Sequence, residues 1–133
     1  MDDTNLVSED VSEENVSSTD ETILTSIKKL LGIYNENTDF DADILIHINS
    51  VIVILNQLGI GPNAGFEIDE NTTWSEYLND NSKLNSVKTY IYLKVKMVFD
   101  PPTSASIREA NIQMMDELEW RLNLYHETDE EEV

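Results

Sequence analysis

Two adjacent prolines, Pro101 and Pro102, separate two long segments of this chain in which apolar residues recur with the period of a helix. The residue before a proline avoids helical backbone angles, so Asp100 must end the preceding helix. A proline is tolerated in the first turn of the next helix, because its missing N–H has no partner there. We therefore predict a stiff structural joint at Phe99, Asp100, Pro101 and Pro102 that fixes the angle between two helices.

The same helical period predicts an all-α fold, a small bundle of about four main helices plus one short helix. Crowded β-branched residues near Ile54 would also suit a strand, but the helical period continues on both sides of them. We expect Ser18 and Thr38 to cap the first two helices and either Asp100 or Ser106 to cap the last. The short helix is expected to begin with Thr72 or Thr73 as its cap, and the long helix after it with Asn81-Ser82. The predicted helices cover about residues 20–32, 38–58, 72–78, 81–99 and 105–127.

Each predicted helix has an apolar stripe that we expect to face the core. In the first helix Lys28 and Lys29 are predicted to lie outside. The second helix is apolar nearly all round, so it is either central to the core or shared between subunits. The predicted stripes are Ile23, Ile27, Leu30 and Leu31; Ile44, Ile48, Val51, Leu55 and Leu58; Leu84, Val87, Ile91, Val95 and Val98; and Ile107, Ala110, Met114, Leu118 and Leu122.

The formal net charge of -19 is concentrated at the two ends of the 133 residues. Residues 1–22 carry eight acids and no base, and residues 126–133 carry five acids and no Lys or Arg. The remaining 14 acids and all eight bases lie between residues 23 and 125, so this middle part of the chain is only mildly acidic. We therefore divide the chain into an acidic arm (1–18), a helical domain (19–125) and an acidic tail (126–133), with the arms more readily solvated and disordered than functional.

Two short patterns partly match known ligand-binding motifs but lack residues or elements that those motifs require. Gly59–Ala64 matches a dinucleotide fingerprint, but no helix is predicted to follow it, so it indicates a helix end and a loop. Asp39, Asp41 and Asp43 begin like a calcium loop, but the glycine and glutamate needed at positions six and twelve are missing. These acids fit the first turn of a helix better. We expect no cofactor and no metal.

Catalysis has no supporting constellation in the sequence. The chain has no cysteine, which excludes disulfides, thiolate metal sites and a cysteine nucleophile. His47 and His126 are the only histidines and lack ligand-spaced partners; His47 is expected to be half-buried on its helix. We expect a protein that is not an enzyme.

The sequence also argues against secretion and membrane insertion. Its acidic first residues lack the cationic and apolar regions of a signal peptide. The most apolar run, residues 44–58, is interrupted by His47, Asn49, Ser50 and Asn56. We expect a soluble chain with no membrane partner.

The segment VKTYIYLKVKMVFDPPTSASIREANIQMMDELEWRLN, residues 87–123, resembles the C-terminal half of tailed-phage head–tail connector proteins. In that family a helix ending in Phe-Asp-Pro-Pro precedes a helix that contains a Glu-Leu-Glu-Trp-Arg-Leu-like run, which residues 117–122 match. The pattern GFEI…TTWSEYL is similar to the middle of the family. The resemblance covers about Ile23 to Asn123 and leaves out both acidic arms.

The resemblance implies a structural virion protein that assembles as a ring beneath the portal, usually following the portal's twelve-fold symmetry. Such a ring extends the DNA channel, lets DNA pass without specific binding, and offers a docking surface to neck or tail-completion proteins. The implied locations are the virion head–tail interface and, during assembly, the host bacterial cytoplasm. No catalysis is implied.

The acidic composition leaves a second interpretation open: an acidic DNA mimic or regulatory protein that occupies a DNA-binding partner. The concentration of charge in the arms counts against mimicry. Lysines on the third long helix are expected either to contact DNA or to pair with the arms. Trp120 either anchors an interface or covers the core edge, and we favour the core edge. The candidate oligomer or partner interface comprises Ile46, Val53, Ile54, Lys94, Lys96, Trp120 and Arg121.

Overall fold

The computed structural model describes residues 21–62, 64–79 and 81–132. Within these ranges the chain is helical and contains no strand, apart from one isolated bridge between Thr22 and Thr73. The all-α prediction is confirmed. The helices are α1 (Ile23–Leu31), α2 (Asp41–Gln57), α3 (Trp74–Tyr77), α4 (Leu84–Phe99) and α5 (Ala105–Glu132), with a 3-10 turn at Asn81–Lys83.

Helix α1 begins later than the sequence predicts. The predicted cap Ser18 lies outside the described residues, and the helix starts after Thr22, whose hydroxyl accepts a hydrogen bond from the Thr25 N–H at 3.1 Å. Thr22 is therefore the N-cap, because its side chain reaches a backbone donor that the helix leaves free. At the other end Gly32 adopts a φ of 80° and terminates the helix, as predicted.

The starts of α2 and α4 also differ from the predicted caps. Helix α2 begins at Asp41 after Phe40, which makes no side-chain capping bond, so Thr38 is not its cap. Asp41 and Asp43 do lie in its first turn, where their charge favours the helix dipole. Helix α4 continues from the 3-10 turn and has Lys83 at its cap position, without a side-chain capping bond.

Helix α4 is the centre of the described bundle, packing against α1, α2 and α5. The stripes predicted for α1, α2 and α4 supply most of the core, but Leu30 near the end of α1 and Val98 at the end of α4 are exposed and do not join it. The fully buried apolar side chains include Ile23, Ile27, Ile44, Ile48, Leu55, Trp74, Val87, Tyr90, Ile91, Val95 and Leu122.

Lys28 lies inside the fold, contrary to the prediction that it faces solvent. Only 1% of the residue is exposed, and its Nζ forms an ion pair with Asp41 Oδ1 at 2.9 Å. The same ammonium donates to the carbonyls of Asn35 and Asn37 at 3.0 and 2.8 Å. Lys28 therefore fastens the α1–α2 connection to the start of α2, while Lys29 remains outside.

The long connection between α2 and α3 is held at two points. Asn49 on α2 exchanges two hydrogen bonds with the backbone of Ile68, at 2.8 and 3.2 Å. Farther along, the indole N–H of the buried Trp74 donates to Ser26 Oγ on α1 at 2.7 Å. The connection is thus fixed against both α2 and α1. Helix α3 itself begins with the predicted cap Thr73.

At the double-proline joint the end of α4 agrees with the prediction, but the cap of α5 does not. Asp100 leaves the helical conformation (φ -149°, ψ 70°) and caps the end of α4. Neither Asp100 nor Ser106 caps α5, however. The helix begins at Ala105 because the Ser104 hydroxyl accepts a hydrogen bond from the Ile107 N–H, while the Asp100 carboxylate pairs with Lys96 at 3.4 Å.

Candidate functional site on the outer faces of helices α2 and α5

One face of α2 points directly away from the core and carries no charge. We call it the α2 stripe: Ala42, Ile46, Ser50, Val53 and Gln57, all exposed. Ile46 and Val53 are 62% and 57% exposed, although both are large and apolar. The stripe runs for about 22 Å along the helix. A face of this length without an acid is unexpected in a chain with a net charge of -19.

A groove runs beside the α2 stripe, between the helix and the loop at 65–67. It has a volume of about 440 Å³ and is lined by the apolar Ile46, Val53 and Phe66 together with Asn49, Ser50, Gly65 and the acidic Glu67. The Asn49–Ile68 hydrogen bonds fix the position of this loop, so the groove is already formed in the single chain. A groove of defined shape with exposed apolar side chains is a typical contact site for another protein.

A smaller cavity of about 220 Å³ opens on the other side of Phe66. Phe66 stacks on Tyr77, with 5.5 Å between ring centroids, and Tyr77 forms part of the cavity wall. The Tyr77 hydroxyl is buried and has no hydrogen-bond partner in the described part of the chain. Burial raises the pKa of this hydroxyl. The cavity is thus mainly apolar, with Val53 shared between it and the α2 stripe.

The first half of α5 has no cover, which contradicts the predicted core role of its stripe. Ile107, Ala110 and Met114 are exposed. The helix packs only from Met115 onward, through Met115, Leu118 and Leu122. We call Ile107, Ala110 and Met114 the α5 stripe. Like the α2 stripe, it is uncharged and uncovered within the described chain.

The packed half of α5 is tied to α4 by a partly buried hydrogen bond. The Tyr90 hydroxyl donates to Glu119 Oε1 at 2.9 Å, and Tyr90 itself is fully buried. Burial raises the pKa of Tyr90, and the hydrogen bond to the Glu119 carboxylate raises it further. This bond fixes α5 in place and thereby determines where its uncovered half points.

Alkaline pH is expected to destabilise the fold, because Tyr90 has a pKa above its ordinary value in the folded state. A group with a raised folded pKa stabilises fully below its unfolded pKa, about 10 for tyrosine, and this stabilisation is lost as the pH rises above that value. Urea unfolding at pH 8 and at pH 11 measures the difference. Tyr90→Phe should lower stability at pH 8 by about 1 kcal/mol and reduce the pH dependence. The exposed Tyr34→Phe should change neither, and an unaltered pH dependence in Tyr90→Phe would contradict the assignment.

The predicted interface residues occupy different environments. Ile54 is half-buried and packs against the core. Trp120 is 65% exposed, so our prediction that it covers the core edge is wrong. Arg121 pairs with Glu117 at 2.7 Å, one helical turn away, as the spacing suggests. The structure tests the geometry of these residues only, and their interface role stays a prediction.

The lysines of α4 have partners inside the chain. Lys88 lies over the Trp74 ring and Lys94 over the Tyr90 ring, with Nζ to centroid distances of 5.5 and 5.6 Å. Lys96 pairs with Asp100. Each of these lysines therefore has a contact within its own chain. DNA contact and pairing with the acidic arms stay predictions for them.

Other sequence patterns occupy structural positions. The backbone turns at Gly59 and Gly61, both with positive φ, and no helix begins in the loop that follows, in agreement with the loop interpretation of Gly59–Ala64. His47 is half-buried on α2, as expected. The described residues contain no group of three or more side chains suited to hold a metal ion. Among the described helices, none is both long and apolar enough to span a membrane.

A helical bundle whose outer helices carry uncharged, apolar, uncovered faces belongs to the class of proteins that assemble with other chains. The sequence model of the phage connector protein family matches residues 23–129. Because this match covers most of the chain, the protein belongs to the phage connector family, and it is a structural component of the phage virion. No match was found among curated proteins or among solved structures.

Proposed function

We propose that the protein is the head–tail connector that forms a ring beneath the portal, extends the channel for DNA, and offers a docking surface to neck or tail-completion proteins. Membership of the phage connector family supports the role. The observation that carries the assembly step is the pair of uncovered apolar stripes on α2 and α5. A single copy leaves both in contact with water, whereas copies arranged in a ring would cover them.

The protein acts through contacts with other chains rather than through chemistry. Its one unpartnered buried side-chain hydroxyl in the described ranges, on Tyr77, stands in a mainly apolar cavity without a catalytic neighbour. Passage of DNA without specific binding fits a chain of net charge -19, since such a chain repels phosphate. Assembly takes place in the host bacterial cytoplasm.

Native mass spectrometry of the full chain, alone and mixed with the portal protein of the same phage, tests the proposal. A closed ring, or a portal complex with about one copy per portal subunit, supports it. The expected symmetry is the portal's twelve-fold one. A chain that stays monomeric and ignores the portal overturns it. The portal protein incubated with an unrelated acidic protein of similar size is the control for charge-driven binding.

The double-proline joint provides a mutational test of the same role. Pro101→Ala combined with Pro102→Ala should leave the helix content by circular dichroism almost unchanged, because the joint lies between helices. It should reduce ring formation on the portal severalfold, because alanine restores backbone freedom that proline removes. Thr103→Ala, in the same connection, is the matched control. Normal rings from the double variant would show that a stiff joint is unnecessary.

A further inference from the structure

We propose that the contact between neighbouring copies in the ring is formed by the α5 stripe of one copy lying in the groove along the α2 stripe of the next. The inference rests on the proposed ring and names the two surfaces that build it. On the groove side are Ile46, Val53 and Phe66. On the helix side are Ile107 and Met114, which are 55% and 49% exposed.

The number of uncovered faces favours a head-to-tail contact. A two-fold dimer centred on one stripe would leave the other exposed, and a reciprocal α2–α5 dimer would cover both stripes but close with only two copies. A ring joins unlike faces, and each copy makes the contact twice, once with each neighbour. One kind of contact therefore covers both stripes on every copy.

Charge indicates that the occupant of each stripe is a second copy of this chain. Two chains of net charge -19 repel each other, and like charges brought together at an interface cost several kcal/mol. Copies can therefore approach most closely through surfaces that carry few acids. The two stripes carry none, and Glu67 is the one acid among the residues that line the groove, whereas a basic partner would gain more by binding the acidic surfaces.

The shapes of the two surfaces also agree. Ile46 and Val53 in the groove are seven residues apart, as are Ile107 and Met114 on α5, so each pair spans about 10 Å along its helix. The groove is open along one side, so it can take a helix face rather than a single inserted side chain. Its outer wall is held by Asn49, so little ordering is required when the helix docks.

Engineered cysteines test the contact directly, because the natural chain has none. The full-length double variant Val53→Cys, Met114→Cys is assembled on the portal and treated with a short bis-maleimide. Each copy then presents one thiol to each neighbour, so a ladder of covalent oligomers is expected on a denaturing gel. Either single variant alone should give no covalent dimer, and an equal mixture of the two should give dimers without higher species.

The matched control is Tyr34→Cys with Asn71→Cys, two exposed positions away from both stripes, and it should give no ladder. Rings without a ladder from the Val53–Met114 pair overturn this contact while leaving the proposed function standing. Dimers from Val53→Cys alone overturn it too, because they show α2 meeting α2. Absence of any ring or portal complex overturns both proposals.

A charge placed on the stripe gives an independent measurement. Val53→Asp should preserve the monomer's thermal midpoint, because Val53 is 57% exposed, yet lower the fraction of copies in rings about tenfold or more, since an unpaired charge would be buried at the contact. Asn71→Asp adds the same charge outside both stripes and should assemble normally. Equal assembly of the two variants would contradict the inference.

Discussion

Replacing Trp74 with alanine is expected to lower the free energy of unfolding by about 3–5 kcal/mol. The indole is fully buried, and its N–H donates to Ser26 Oγ at 2.7 Å across 48 residues of sequence. The variant loses apolar contacts, leaves a cavity and frees the long connection from α1. Because small domains are stable by only about 5–15 kcal/mol, the loss would leave a marginal fold. Urea unfolding followed by circular dichroism measures it.

The second tryptophan of the chain is the control for this experiment. Trp120→Ala removes an exposed side chain and should change the free energy of unfolding by less than about 1 kcal/mol. Trp74→Phe keeps much of the buried ring but removes the indole donor, so it should fall between the two. Similar losses from Trp74→Ala and Trp120→Ala would contradict the packing described for α1 and α3.

Replacing Lys28 with methionine is expected to cost about 3 kcal/mol, although a lysine on a predicted outer helix face would ordinarily tolerate the change. Methionine keeps most of the apolar stem but leaves the Asp41 carboxylate and two backbone carbonyls without their donor. Breaking a buried ion pair costs about 3–5 kcal/mol, and the Asp41 side chain retains 20% exposure, which favours the lower end. The midpoint and slope of urea unfolding give the difference.

The neighbouring residue provides the comparison. Lys29 pairs with Glu21 at 2.5 Å but is 65% exposed, so Lys29→Met should cost no more than about 1 kcal/mol. The double variant Lys28→Met, Asp41→Leu removes both buried charges and should recover part of the loss. Equal effects of Lys28→Met and Lys29→Met would show that the Lys28 cluster does not brace the fold.

The helices could be predicted from sequence because the helical period extends over whole segments, but their caps could not. Serine, threonine or aspartate precedes every helix described, often more than one of them, so the pattern alone does not select the residue whose oxygen meets a free N–H. At α5 the choice fell on Ser104 rather than Asp100, because the carboxylate turned back to Lys96. Local geometry decided between chemically similar candidates.

The burial of a side chain could be predicted where neighbouring helices determine it. The prediction failed where a loop determines it. Lys28 occupies a core position because carbonyls of Asn35 and Asn37 converge on it, and the path of that loop is not encoded in any period. The failure at α5 has another cause. The spacing identifies the apolar side of a helix, but it does not tell how far the partner helix covers it, so Met114 and Met115 could not be distinguished.

The uncharged stripe on α2 also has a consequence for the conditions under which copies associate. If the contact itself carries no charge, repulsion between copies arises from acids at a distance, many of them in residues 1–22 and 126–133. Dissolved ions weaken such repulsion, since the screening length is about 8 Å at physiological ionic strength and about 30 Å at 0.01 M. Self-association should therefore behave like that of a charged colloid with neutral patches: favoured by added salt and suppressed by dilution into low-salt buffer.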